Sequence, residues 1–402
     1  MRHSSMNKLG RVILGASLLG LGIPYVLVVA VNCLMGWPNS RPEEGSRFQR
    51  ALHPTRVLNL NYVFVQQVGM LQFLPLYLRF WKFYREAETV TRDIPYGRNS
   101  NTLDIWWPSA NQSLAKDASS TDPSQQHRRP VFVYVYGGAW GSGDKNLYGL
   151  LAQSLADRLE AIVCVPNYSI YPKGIVTDML HDLADTIAWI KTSELIRSLG
   201  GSPEQIILCG HSAGGHLVAM VTLNLAHRSV TEVQNSETSK SSSEALSLLS
   251  SVRGVIAISG VFDIADHYQF ESWRGVEDMS YMWRAMDGRA NFAKYSPTLV
   301  LKELDSQQIA KLPPFILIHG TEDGTVPVSA SEKFASALSE DGAPVSLVIV
   351  SGGGHAPLVL DMMEEGRPFY TEMTTVVMEH VKRVLPSSTL PRHLTPPKGS
   401  TE

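Results

Sequence analysis

Gly210-His211-Ser212-Ala213-Gly214 places a serine among small residues, directly after the apolar run Ile206-Ile207-Leu208-Cys209 and directly before the helical pattern Gly215-His216-Leu217-Val218-Ala219-Met220. A serine hydroxyl is a weak nucleophile at its free pKa. Using one requires a base to take its proton, a group to orient that base, and donors for the oxyanion that forms. Small flanking residues permit a sharp strand-to-helix turn that would hold Ser212 up, with the Ala213 amide at a helix N-terminus. Upstream, Tyr136-Gly137-Gly138-Ala139-Trp140 closes the apolar run 131–135. Glycines there let backbone approach a substrate carbonyl, so the Gly138 and Ala139 amides, joined by that of Ala213, are the expected oxyanion donors. Gly320-Thr321-Glu322-Asp323-Gly324 follows the apolar run 315–318, and Gly352-Gly353-Gly354-His355 follows the run 345–350. Asp323 would hold His355 in one tautomer and stabilise its cation, while His355 carries the proton from Ser212 to the leaving group. Glu322 is the neighbouring alternative acid; a short side chain before Gly324 suits such a turn better.

Other candidates read as structural. His211 is expected to line the site without taking part in the chemistry. His319 ends a strand and His216 lies early in a helix, where hydrogen-bonded structural histidines are common. Asp178 and Asp182, four apart on a helix, suggest capping or solvated roles, since no third metal ligand accompanies them. Cys33, Cys164 and Cys209 all sit in apolar stretches and read as small buried hydrophobes. No metal or cofactor is expected. With 35 basic and 38 acidic residues well mixed, the charge pattern offers nothing to nucleic acid.

The elements that must position these residues begin near residue 90. Short β-branched runs at 90–96, 102–107, 131–136, 161–166, 205–210, 253–259, 314–319 and 345–350 alternate with helical patterns at 147–159, 177–199, 213–225, 329–339 and 369–385. Continuous apolar runs such as Val131-Phe132-Val133-Tyr134-Val135 are what strands buried on both faces require. The expectation is a mostly parallel eight-stranded sheet flanked by helices, with Ser212, Asp323 and His355 on loops at the strands' carboxyl ends, which is the α/β-hydrolase fold.

Residues 1–85 form a different region. Residues 12–40 carry no charge and residues 12–31 are almost wholly apolar. At 1.5 Å per residue, a span near 12–34 could cross a bilayer. A second uncharged run, 57–78, contains Asn59, Asn61, Gln66, Gln67 and Gln72, and could be either a second span or an interfacial helix. With two spans, six flanking basic residues would face the cytosol against four outside, favouring a cytosolic catalytic domain; the membrane expected is that of the endoplasmic reticulum or Golgi. The catalytic domain is expected over 86–385, with loop-like polar insertions at 110–129 and 228–251 and a disordered tail at 386–402. Residues 263–293 occupy the place of a cap. They carry Phe270, Trp273, Tyr281, Met282, Trp283 and Met286, enough for an apolar pocket or lid, although half or more could be packing.

From about 94 to 385 the chain resembles the isoprenylcysteine α-carbonyl methylesterase family, related to the hormone-sensitive-lipase and kynurenine formamidase groups. The resemblance is carried by Gly137-Gly138-Ala139-Trp140, Asn167-Tyr168, Tyr171-Pro172-Lys173-Gly174, the Ser212 pentapeptide, Gly260-Val261-Phe262-Asp263, Tyr295-Ser296-Pro297, His319-Gly320-Thr321-Glu322-Asp323 and the segment 354–361. The chain departs from it at His211, where glutamine is expected, and at Ala356-Pro357, where a polar pair is expected. The resemblance implies a membrane-bound enzyme with Ser212, Asp323 and His355 as its triad. Its reaction would be methyl-ester hydrolysis on a prenylated cysteine, with prenylated protein C-termini among the substrates. Aryl formamide hydrolysis uses the same groups, as do general carboxylesterases and lipases, and a catalytically silent membrane adaptor is the reading from another class.

Overall fold

A computed structural model describes residues 54–109, 128–229 and 236–386, together with scattered helical positions between 15 and 30. Eight strands form one sheet: β1 (Val90–Tyr96), β2 (Asn101–Trp106), β3 (Arg129–Val135), β4 (Ile162–Pro166), β5 (Gly201–His211), β6 (Val252–Ile258), β7 (Phe315–Gly320) and β8 (Val345–Val350), in the order β1-β2-β4-β3-β5-β6-β7-β8. β2 runs antiparallel to both β1 and β4; every other pairing is parallel. This is the α/β-hydrolase sheet. Its longer helices are α1 (Pro54–Gly69), α2 (Leu74–Glu86), α3 (Gly149–Leu159), α4 (Val176–Thr192), α5 (Ala213–Arg228), α6 (Ser236–Ser251), α7 (Ile264–Arg274), α8 (Ser329–Glu340) and α9 (Tyr370–Val384).

The central strands are apolar because they are covered on both faces. Phe132, Val133, Tyr134 and Val135 on β3 and Ile206, Ile207, Leu208 and Cys209 on β5 are all buried. Each fully buried aliphatic side chain contributes about 1.5–3 kcal/mol, which specifies these strands without any polar signal. The chain steps outward from β3 to β4, then returns to the other side of β3 to form β5. That reversal leaves a crevice beyond the carboxyl ends of β3 and β5, the place where open α/β sheets bind ligands.

Two compact units are distinguished: residues 78–267 with 283–402, and residues 1–77 with 268–282. The first contains the sheet, and it also takes in the end of the expected anchor region. Phe80 and Tyr84 of α2 are buried, and the Tyr84 hydroxyl donates to Asp104 Oδ2 at 2.8 Å. Asp104 in turn lies 2.9 Å from the buried Lys145 ammonium, which also reaches Asp93 at 2.7 Å. Burial works against the Lys145 charge, but the two carboxylates outweigh it and hold its pKa above the ordinary lysine value. The unit that holds the sheet therefore begins at residue 78, within the expected anchor region. Part of the polar stretch 228–251 also differs from expectation. Ser236–Ser251 is a helix, and its buried Ala245, Leu248 and Leu249 recur at helical spacing.

In the second unit, α1 is joined to the segment 268–282. Arg56 reaches Glu277 Oε1 at 2.7 Å and the Gly275 carbonyl at 3.1 Å, and Asn59 donates to the Trp273 carbonyl at 2.6 Å. Of the apolar residues in the expected cap, Met282 and Met286 are buried packing, whereas Trp273 is 61% exposed and stacks on Phe270.

The run 57–78 is divided between α1 and α2 by a 3-10 turn, Met70–Phe73. Among the described residues no helix is long and apolar enough to cross a membrane. The expected span at 12–34 falls largely outside the described residues, as do 110–127 and the tail beyond 386.

Candidate active site

Ser212 stands between the end of β5 and the first residue of α5, with φ 55° and ψ −120°. Positive φ in a non-glycine residue is strained by about 1–3 kcal/mol, and the surroundings must over-determine it. Here the Ser212 amide donates to the Ile258 carbonyl of β6 at 2.9 Å, while its own carbonyl accepts the His216 amide at 3.0 Å, starting α5. The small residues of the pentapeptide have a direct cause: a Cβ at Gly214 would run into the Val135 carbonyl.

The loop after β3 lies against this turn. A Cβ on Gly137 would sit 2.8 Å from that of Ser212. Gly138 (φ 139°), Ala139 (φ 49°) and Trp140 (φ 59°) follow in the left-handed half of conformational space, and the Gly138 carbonyl closes the turn by accepting the Gly141 and Ser142 amides. The amides of Gly138, Ala139 and Ala213 donate to no acceptor among the described residues. Three unpaired donors on the loop and turn that meet at Ser212 suit an incoming oxyanion. Trp140 secures the loop by donating from its indole to His216 Nδ1 at 3.1 Å. An indole only donates. His216 Nδ1 must therefore accept, and its Nε2–H donates to the Tyr295 carbonyl at 2.7 Å.

Across the crevice, His355 Nδ1–H donates to Asp323 Oδ2 at 2.7 Å. The other oxygen, Oδ1, accepts the amides of Thr325 and Val326, each at 2.9 Å. His319 Nε2 lies 3.3 Å from Oδ2, and its ring is held by Ser331 and the Val326 carbonyl. Burial opposes ionisation of Asp323, yet His355, His319 and the backbone amides outweigh it, leaving the carboxyl well below the ordinary range. Glu322, the alternative acid, is exposed. The Ser212 hydroxyl has no hydrogen-bond partner among the described residues; in unliganded hydrolases the contact between nucleophile and base commonly tightens only with substrate.

His211 does more than line the crevice. Its Nε2–H donates to the backbone carbonyl of His355 at 2.9 Å, and the two rings lie 4.7 Å apart. Burial, with His355 adding to it, pushes the His211 pKa down to about 3, so the ring is neutral and tethers the histidine loop beside the serine turn. Sequence spacing carries no signal for a contact made across 144 residues. The two aspartates of α4 are likewise accounted for. Asp178 accepts the Ile175 amide, and Asp182 accepts Asn99 and the Ser169 amide.

The BD-FAE family profile matches residues 120–338, a stretch that contains Ser212 and Asp323. A protein of Oryza sativa subsp. japonica, named a probable isoprenylcysteine alpha-carbonyl methylesterase, is 30% identical over 78% of this chain and 70% of its own length. The chain belongs to this methylesterase family. The isoprenylcysteine alpha-carbonyl methylesterase of Arabidopsis thaliana is 31% identical over 71% of this chain, which spans 61% of that relative. The solved esterase of Pyrobaculum calidifontis superposes with a TM-score of 0.54 over 78% of this chain and 91% of its own; at 18% identity this likeness concerns the fold alone. Fold and family together make this methylesterase relative a carboxylic ester hydrolase.

Its buried histidines set an acid limit. Burial is the leading cause that pushes His211 down to about 3 and His216 and His380 down to about 4. Their folded pKa values lie below the unfolded value of ~6.5, so the unfolded chain binds more protons. The stability they contribute is complete above pH ~6.5 and is lost as pH falls toward ~4, at about 1.4 kcal/mol per pH unit for each. Thermal melts should show a steep fall in Tm on acidification through that window, whereas a flat Tm would mean that these rings are not buried neutral.

Proposed function

We propose that the chain is a serine methylesterase that hydrolyses the methyl ester of S-prenylated cysteine at polypeptide C-termini, working at a membrane surface. The observation that carries the reading is the Asp323–His355 pair at 2.7 Å, tied through His211 to the serine turn. In this mechanism Ser212 Oγ attacks the ester carbonyl as His355 Nε2 takes its proton. The amides of Gly138, Ala139 and Ala213 receive the oxyanion. Collapse expels methoxide, which leaves as methanol with the proton from His355. Water, deprotonated by the same imidazole, then cleaves the acyl-enzyme to free carboxylate and regenerates the Ser212 hydroxyl.

The membrane part of the reading is supported by exposed apolar side chains at helical spacing: Leu58, Tyr62 and Val65 on α1, then Leu74, Leu78 and Trp81 on α2. α2 also carries Arg79, Lys82 and Arg85. On each helix such an apolar stripe, edged on α2 with basic residues, is the pattern of a helix lying in the interface.

The test compares the full-length enzyme on S-farnesylcysteine methyl ester presented in phosphatidylcholine vesicles, on p-nitrophenyl acetate and on N-formylkynurenine. Turnover of both esters is expected, with N-formylkynurenine cleaved at least about 100-fold more slowly, a gap of ~2.7 kcal/mol in transition-state binding. Preference for N-formylkynurenine would replace this reading with formamide hydrolysis.

A further inference from the structure

A cleft of about 440 Å³ opens beside the active-site crevice, among residues that follow β3 and β4 and the turn between β1 and β2. Its walls include Asn99, Asn101, Asn167, Ser169, Asp144 and Lys173. Gly143 also lines it, and a Cβ at Gly143 would lie 2.9 Å from the Gly137 carbonyl oxygen; Gly137 in turn backs onto Ser212. The segment carrying Lys173 is joined to the same loop, because the Tyr171 amide donates to the Trp140 carbonyl at 2.8 Å. The cleft and Ser212 therefore flank one loop. In the sheet, β5, β3 and β4 are consecutive, so the ends of β5 and β4, from which the two places open, stand about two strand spacings, or ~10 Å, apart.

Asn99, Asn101 and Asn167 already donate to Asp182, Ser169 and Asp144, and a prenyl chain would strip water from the remaining amide and hydroxyl groups of the walls at ~1–3 kcal/mol per group left unsatisfied. They suit a ligand that carries its own regular donors and acceptors, as an extended polypeptide does. Two carboxylates, Asp144 and Asp178, also line the cleft, each held by neutral donors of the protein that fix its geometry without cancelling its charge. Asp144 is engaged by the Asn146 amide and Asn167, and Asp178 by the Ile175 amide. Lys173 is exposed and has no partner among the described residues.

We propose that this cleft is the subsite for the polypeptide segment preceding the modified cysteine, and that Lys173 selects an acidic side chain within that segment. The proposal rests on the substrate class proposed above. An extended chain advances ~3.3 Å per residue, so ~10 Å places the selected side chain about three residues before the cysteine.

The test uses full-length wild type and Lys173→Glu on farnesylated peptide methyl esters that carry Asp or Lys at one, three or six residues before the cysteine. Each rate is normalised to the same enzyme's rate on N-acetyl-S-farnesylcysteine methyl ester. Wild type is expected to favour the Asp peptide about 3- to 5-fold in kcat/KM, most strongly at the third position, the size of a solvent-exposed charge pair. K173E should reverse the preference. Equal Asp and Lys peptides in wild type, or a ratio that K173E leaves in place, would overturn the subsite. A preference of the same size at all three positions would also overturn it, since that marks a diffuse field. Failure to turn over N-acetyl-S-farnesylcysteine methyl ester while p-nitrophenyl acetate is hydrolysed would instead sink the substrate class, and this inference with it.

Discussion

Ser212→Ala is expected to lower kcat by about 10⁵- to 10⁶-fold on every ester tested, because base, orienting acid and nucleophile act as a unit and the loss of one idles the others. The residual rate would come from the oxyanion donors alone. Binding should survive, so KM or product affinity changes little. The strained backbone makes a second, independent reading available. The Ser212 hydroxyl has no hydrogen-bond partner among the described residues, so alanine forfeits no such contact but keeps the side chain at φ 55°. Glycine tolerates that conformation, so Ser212→Gly should be as inactive as S212A yet more stable by about 1 kcal/mol. Measuring kcat and urea midpoints for both variants separates catalysis from folding. An S212A enzyme with full activity would remove the serine from the mechanism, and an S212G enzyme less stable than S212A would remove the strain.

How far the sequence reaches is shown by which contacts are local. All eight strands fall within a few residues of their expected places; the central ones do so because a strand buried on both faces must be apolar throughout and its turns must not be. The serine turn was visible for the same reason, since its small residues answer to crowding from the neighbouring β3 carbonyls. The helix at Ser236–Ser251 was obscured by its serines, although Ala245, Leu248 and Leu249 already stand at helical spacing. Lys145 had no signal at all. Its partners Asp93 and Asp104 lie 52 and 41 positions earlier in numbering, and nothing in a lysine's neighbours announces that it will be buried. The tether from His211 to His355 is of this kind too: residue identity suggested a histidine near the site, whereas its job depends on how two distant loops meet.

The identity of the acid can be tested on geometry that the sequence could not supply. In Asp323→Asn the side-chain amide has one workable orientation. The amides of Thr325 and Val326 both donate to Oδ1, so the asparagine carbonyl must face them and its NH₂ must turn toward His355 Nδ1. Two donors cannot share that contact. His355 then has to accept at Nδ1 and carry its proton on Nε2, the tautomer that cannot take a proton from Ser212. The expected loss in kcat is about 10⁴-fold, with little change in KM. Because the fault is one of tautomer rather than of protonation, raising the pH should not restore the rate. Glu322→Gln provides the contrast, since Glu322 is exposed and should give near wild-type kcat. The low-field proton resonance expected of the His355–Asp323 hydrogen bond should vanish in D323N and persist in E322Q. A D323N enzyme retaining more than about a tenth of wild-type kcat, where the triad role predicts ~10⁻⁴, would return the acid's role to Glu322 or to none.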